Sequence, residues 1–131
     1  MPDADSRGPE VDGAEQLYRA IHLREWWNAE VTPPRPRSAA FNWPKFSVNI
    51  ASILGEKGAM DHLAHVLKCP NGAIVAFRCG CARELGFDPR REPENDNAAH
   101  AHVYYDGSNS SRKTRAKKLA NHCRTIRPPT F

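Results

Sequence analysis

The sequence predicts an α+β domain, with a small, mostly antiparallel sheet and two main helices. Three observations carry this. Period-two alternation and short apolar runs recur as isolated strand-length segments, and two longer segments repeat apolar residues at helical steps. These elements mix in order along the chain, joined by hairpin-length and longer links, a pattern of α+β rather than of regular βαβ units. At 131 residues with 40% hydrophobic content, the chain suits one domain with one modest core.

Residues 1–13 are polar and interrupted by Pro2, Gly8, Pro9 and Gly13, so a disordered acidic tail is expected, with the single domain spanning 14–131. Leu17–Ile21 reads as a first strand, the alternative being a helix running on to Trp26 and Trp27. Residues 32–37 hold three prolines, which fix φ and remove donors, so this stretch is an extended connector. Ser38–Phe41 reads as a second strand. In Phe46–Ile50 the apolar residues Phe46, Val48 and Ile50 alternate with Ser47 and Asn49, a half-buried strand. Over 56–67, Ala59, Met60, Leu63, Ala64 and Leu67 lie on one face of a helix. Cys69-Pro-Asn-Gly72 is a turn, and the continuously apolar Ala73–Phe77 is a central strand. Residues 86–96 form a charged, proline-broken loop, and Ala99–Tyr105 a further strand ending at Asp106-Gly107. A last helix is expected from Ser110 or Ser111 as N-cap to the stop at Arg127-Pro-Pro.

No stretch approaches the roughly 20 apolar residues of a bilayer span, and the acidic start lacks the layout of a secretory signal, so a cytoplasmic protein without membrane contact is expected. Cys69, Cys79, Cys81 and Cys123 form neither a disulfide framework nor a CxxC pair and are read as reduced thiols. Net charge is +4, distributed as −4 over residues 1–16 and +8 over the rest. That asymmetry suits an acidic partner.

The clearest charge feature is the segment 112–127. It holds Arg112, Lys113, Arg115, Lys117, Lys118, Arg124 and Arg127 and no acidic residue. On a helix with the narrow apolar stripe Ala116, Leu119, Ala120 and Cys123, this cationic side could lie along a phosphate backbone; the plainer reading is a solvated surface. The first functional expectation is therefore a small accessory protein that binds nucleic acid or an acidic protein through this helix.

Candidate chemistry resides in the histidines and cysteines. His100 and His102 are two apart and share one side of a strand, as Cys79 and Cys81 would; His62 and His65 are one helical turn apart, and His122 adjoins Cys123. Such pairs could supply a tetrahedral zinc site, but C-x-C with H-x-H matches no usual knuckle, so neither metal nor cofactor is expected. The H-x-[ST] repeat of two-histidine phosphoesterases is missing, as are Walker, GxGxxG, GxSxG and HExxH motifs. Trp26, Trp27 and Trp43 read as core anchors rather than a stacking surface.

Through Tyr18-Arg19-Ala20-Ile21, Ser38-Ala-Ala-Phe41, Phe46–Ser52 and Asn97–Val103, residues 17–125 resemble a group of small uncharacterised bacterial proteins that share R-x-I, S-A-A-F, S-V and A-H-A. The resemblance implies one intact domain and carries no assigned activity. More remotely, an Arg-bearing strand followed by a Ser-bearing strand is similar to ADP-ribosyltransferase-like folds. That similarity implies an NAD- or nucleotide-using transferase, or an RNA phosphotransferase, with Arg19, Ser47, His100 and His102 in one cleft. The catalytic glutamate of such folds has no counterpart on a late strand here, where His100 and His102 stand instead.

Overall fold

The computed structural model describes residues 6–131. Its principal feature is a six-stranded sheet in which every neighbouring pair is antiparallel. The strands are β1 (Gln16–Ile21), β4 (Lys45–Ile50), β5 (Ala73–Arg78), β6 (Asp88–Arg91), β7 (His100–Tyr104) and β8 (Arg124–Arg127), in the spatial order β6-β7-β4-β1-β5-β8. A small hairpin joins β2 (Trp27–Asn28) to β3 (Arg35–Pro36). The helices are α1 (Ala51–Asp61), continued by a π-helical turn over His62–Val66, then α2 (Cys79–Glu84) and α3 (Asn109–Asn121). The α+β expectation, a mostly antiparallel sheet with two main helices, is met.

Both faces of the sheet are covered, and the alternation in each strand decides what lies where. Leu17 and Ile21 of β1, Phe46 and Val48 of β4, Val75 and Phe77 of β5, and Ala101 and Val103 of β7 face one side. There they meet Phe41, Phe87 and the α3 stripe Ala116, Leu119 and Ala120, with Phe41 edge-on to Phe46 and Phe77 at 5.7 and 5.9 Å between centroids. Tyr18, Ile74 and Ala76 face the other side, beneath Ala59 and Leu63 of α1 and its π-helical turn. The expected helix over 56–67 is longer at its start. Gly55, at φ 73°, breaks the helical path after one turn, so the regular part begins where the periodicity does. Gly72 is required where α1 returns to the sheet, because a Cβ there would stand 2.7 Å from the Ile21 carbonyl oxygen.

Four expectations are corrected. Ser38–Ala40 is a 3₁₀ turn, not a strand. Cys79 and Cys81 open a helix instead of sharing a strand face. The charged loop contains β6, which accepts Pro89 because it is an edge strand. The leader is no disordered tail over residues 6–13, while residues 1–5 lie outside the described residues. Val11 is buried in the core and its N–H donates to the Pro89 carbonyl; Arg91 N–H donates to Pro9, and Gly80 N–H to Gly13. Arg7 stacks over the Tyr104 ring at 4.0 Å and pairs with Asp88 at 2.8 Å and with Asp106.

Among the described residues, no helix is long and apolar enough to cross a membrane. All four cysteines are free thiols.

Candidate functional site

The basic C-terminal segment divides in two. The Ser108 hydroxyl, not that of Ser110 or Ser111, caps α3 by accepting the Ser111 N–H at 3.2 Å. The helix closes at Asn121, and Arg124 and Arg127 belong to β8, which pairs with β5. The helix expected to reach Arg127 is thus corrected, and these two cations stand apart from the other five. On α3 the stripe of Ala116, Leu119 and Ala120 is buried, and Lys113, Lys117 and Lys118 are exposed. Arg112 and Arg115 are half-buried, and Arg112 Nε–H donates to Asn42 Oδ1 at 3.0 Å. Arg127 donates to the Pro70 carbonyl at 2.7 Å.

Lys113 and Lys117 line a groove of about 400 Å³ whose opposite wall is the β3 segment with Arg35 and Arg37. Its lining contains no acidic side chain, and among the described residues none of these four cations is paired with a carboxylate. The sequence reading missed Arg35 and Arg37, treating them as part of a connector. Their signal was present, since two arginines alternate with the prolines of an extended stretch. Beside the groove, Trp43 is 45% exposed, and its indole N–H donates to the carbonyl of Ala39, a lining residue. Trp26 and Trp27 are core residues as expected; Trp43 is not.

Arg19, Ser47, His100 and His102 do not form one cleft: the first three line a cavity of about 190 Å³ that His102 does not line, and the Arg19 guanidinium is held away on backbone carbonyls. Arg19 lies on the same face of β1 as Leu17 and Ile21, among core residues. Its Nε–H and one Nη–H donate to the Ala40 carbonyl at 3.1 and 2.9 Å, and the other Nη–H donates to the Ser47 carbonyl at 3.1 Å. The guanidinium sits 4.9 Å from the Trp26 ring and 5.1 Å from that of Phe46. Burial without a carboxylate beside it pushes its pKa down to about 10, leaving it charged at neutral pH. Arg19 is therefore a structural brace between β1, the 3₁₀ turn and β4. The remaining three stand on the opposite face, with Ser47 directly across from His102 and Asn49 across from His100.

That face is the second polar constellation. Glu92, just past β6, organises it. Its Oε1 accepts His102 Nδ1–H at 2.9 Å and Tyr104 O–H at 2.6 Å, and its Oε2 accepts the Gly8 N–H at 3.2 Å. Its backbone carbonyl accepts His100 Nδ1–H at 2.8 Å. Burial opposes ionisation of Glu92, yet the donors Tyr104, Gly8 and His102 hold its carboxyl below the ordinary value. Burial, with repulsion from His100 against the pull of Glu92, lowers the pKa of His102. Tyr104 is pushed up to about 12 by burial and by Glu92. Glu94 presents Oε1 3.3 Å from His100 Nε2. His62, on the π-helical turn, lines with His22, His100, Ser47 and Asn49 a cavity of about 190 Å³. Burial and the nearness of His100 lower its pKa.

Comparison with protein-family models, with curated proteins and with solved structures gives no match for this chain. Its chemistry must be read from these two sites themselves.

Proposed function

We propose that the chain binds nucleic acid, as a single strand, along the groove between α3 and the Arg35–Arg37 segment. The observation that carries this reading is the acid-free groove, with Arg35 and Arg37 on one wall and Lys113 and Lys117 on the other. Cations held without a carboxylate partner are available to phosphates, and condensed counterions released from the strand supply the binding free energy. The exposed Trp43 beside the groove offers a face on which a base can stack, the second component of sequence-tolerant single-strand binding. A folded duplex hides its bases from such a face, which favours the single strand. Binding is expected to follow charge and stacking rather than sequence.

Fluorescence anisotropy with a labelled oligonucleotide tests this. At a slope of about −0.7 per neutralised phosphate, four contacts give a log–log salt slope near −3 and roughly a 50-fold loss of affinity between 50 and 200 mM salt. The Lys113→Ala/Lys117→Ala double variant is expected to flatten that slope by about half. Trp43→Ala is expected to weaken binding by about tenfold or more at unchanged slope. A flat salt response, or no binding at low salt, refutes the proposal. Binding to polyglutamate in place of the oligonucleotide would also refute it, assigning the groove to an acidic protein.

A further inference from the structure

The opposite face of the sheet carries a separate arrangement. His100 Nδ1 lies 2.8 Å from a backbone carbonyl, which can only accept, so the ring proton is on Nδ1. His102 Nδ1 lies 2.9 Å from the Glu92 carboxylate, held ionised by its donors, and the same assignment follows. In its neutral form each ring then has its lone pair on Nε2, and their i,i+2 placement on β7 presents the rings to the same side, with centroids 4.5 Å apart. Orientation of a ring by a carbonyl or a carboxylate at one nitrogen is the arrangement that prepares the other nitrogen as a metal ligand.

Into this side projects Glu94. Its Oε1 faces His100 Nε2 at 3.3 Å, two acceptors when the ring is neutral, so that a cation between them, a metal ion or a proton, satisfies both. Two ligands each about 2.1 Å from one ion, at a tetrahedral or octahedral angle, are separated by about 3.0–3.4 Å. The measured gap fits. One ligand atom each of Glu94, His100 and His102 lies within 4.8 Å of the others. The Glu94–Asn97 turn that holds the carboxylate is closed by paired backbone hydrogen bonds of 3.1 and 3.0 Å and tied to β4 by Asn97 Nδ2–H donating to Asn49 Oδ1 at 2.7 Å. The site is thus supported by two strands and a turn.

We propose that Glu94, His100 and His102 bind one divalent transition-metal ion, with Glu92 as the group that orients both imidazoles. Two imidazoles and one carboxylate suit zinc, cobalt, nickel or ferrous iron and not magnesium or calcium, which prefer all-oxygen sites. Three protein ligands leave positions open to a small molecule. Glu94 also lines, with Asp61, His62 and His65, a wider cavity of about 790 Å³, through which such a molecule would enter. The site and the cationic groove lie on opposite faces of the sheet, and neither inference depends on the other.

The test is titration of the purified chain with cobalt(II), read by its visible d–d absorption, and with zinc(II), read by elemental analysis after dialysis. One ion per chain is expected. Glu94→Ala changes an exposed side chain and is expected to fold normally while losing affinity at least tenfold, as is His102→Ala. Glu92→Gln is expected to weaken binding by about 10–100-fold, and His65→Ala to leave it unchanged. Thermal melts of each metal-free variant separate loss of ligands from loss of fold. Failure of the parent chain to retain a stoichiometric ion overturns the proposal. Full binding by both Glu94→Ala and His102→Ala overturns it equally.

Discussion

Replacing Arg19 with methionine tests the assignment of this buried arginine as a brace. Arg19 is 8% exposed, and Ala40, whose carbonyl receives two of its three hydrogen bonds, is fully buried. Methionine reproduces much of the stem but removes every donor. The Ala40 carbonyl then loses both its guanidinium donors, and a buried acceptor stripped of its partner costs about 1–3 kcal/mol. The cation stacked near Trp26 and Phe46 adds about 1 kcal/mol that is also lost. Against this, the variant no longer desolvates a charge that has no carboxylate beside it. The net expectation is a destabilisation of about 2–3 kcal/mol. With a urea m-value of about 1–3 kcal/mol/M, the unfolding midpoint falls by roughly 0.7–3 M. Arg19→Lys keeps the charge but not the fork that chelates one carbonyl, and its midpoint is expected between the two. Oligonucleotide affinity of the folded Arg19→Met protein should equal that of the parent. A midpoint for Arg19→Met equal to or above the parent's would refute the reasoning, because desolvation of the cation would then outweigh the bonds it makes.

Two further predictions concern the ends of the fold. Ser108→Ala removes the α3 cap and is expected to cost about 1 kcal/mol in chemical unfolding, with the groove's oligonucleotide affinity reduced only as α3 frays. Hydrogen bonding from Arg7 holds the Asp106 carboxyl below its ordinary value of 3.8. A carboxyl depressed in the folded state contributes stability above its unfolded pKa and loses it as pH falls through the folded one. The parent should therefore lose more of its unfolding midpoint between pH 5 and the acid range below about pH 3 than Arg7→Ala does; equal acid sensitivity would contradict this.

Strands whose side chains alternate or run apolar were legible in the sequence, and β4, β5 and β7 stand where their patterns place them. What was not legible depended on tertiary pairing. Asp88–Arg91 has the composition of a loop and becomes a strand only because β7 supplies a partner on one side and leader residues 9–11 run along the other, where Pro89 contributes its carbonyl alone. Leader residues 6–13 look unstructured because their order rests on distant groups, the Pro89 carbonyl, Arg91 and Asp88. The helix break at His122 is hidden in a continuous basic run, since nothing short of the β5 partner marks Arg124–Arg127 as extended. Arg19 is different. Its alternation with Leu17 and Ile21 already aimed it at the core, against the similarity that placed it in a cleft with the histidines. His100 and His102 were found by spacing, whereas Glu92 and Glu94, residues of an apparent loop, reach them only through the β6–β7 fold-back.

The packed leader also bears on how copies of this protein behave in concentrated solution. An outermost β-strand offers unsatisfied amides and carbonyls to any extended neighbour. Here Pro9, Glu10 and Val11 run along β6 and engage Pro89, Arg90 and Arg91, and at the far margin Pro128 and Pro129 follow β8 directly. The β6 margin is thereby covered by a strap of the chain itself, and at the β8 margin the two prolines keep the strand from extending as a ladder beyond Arg127. Peeling away the strap would uncover a ready template for stacking one molecule's sheet onto the next.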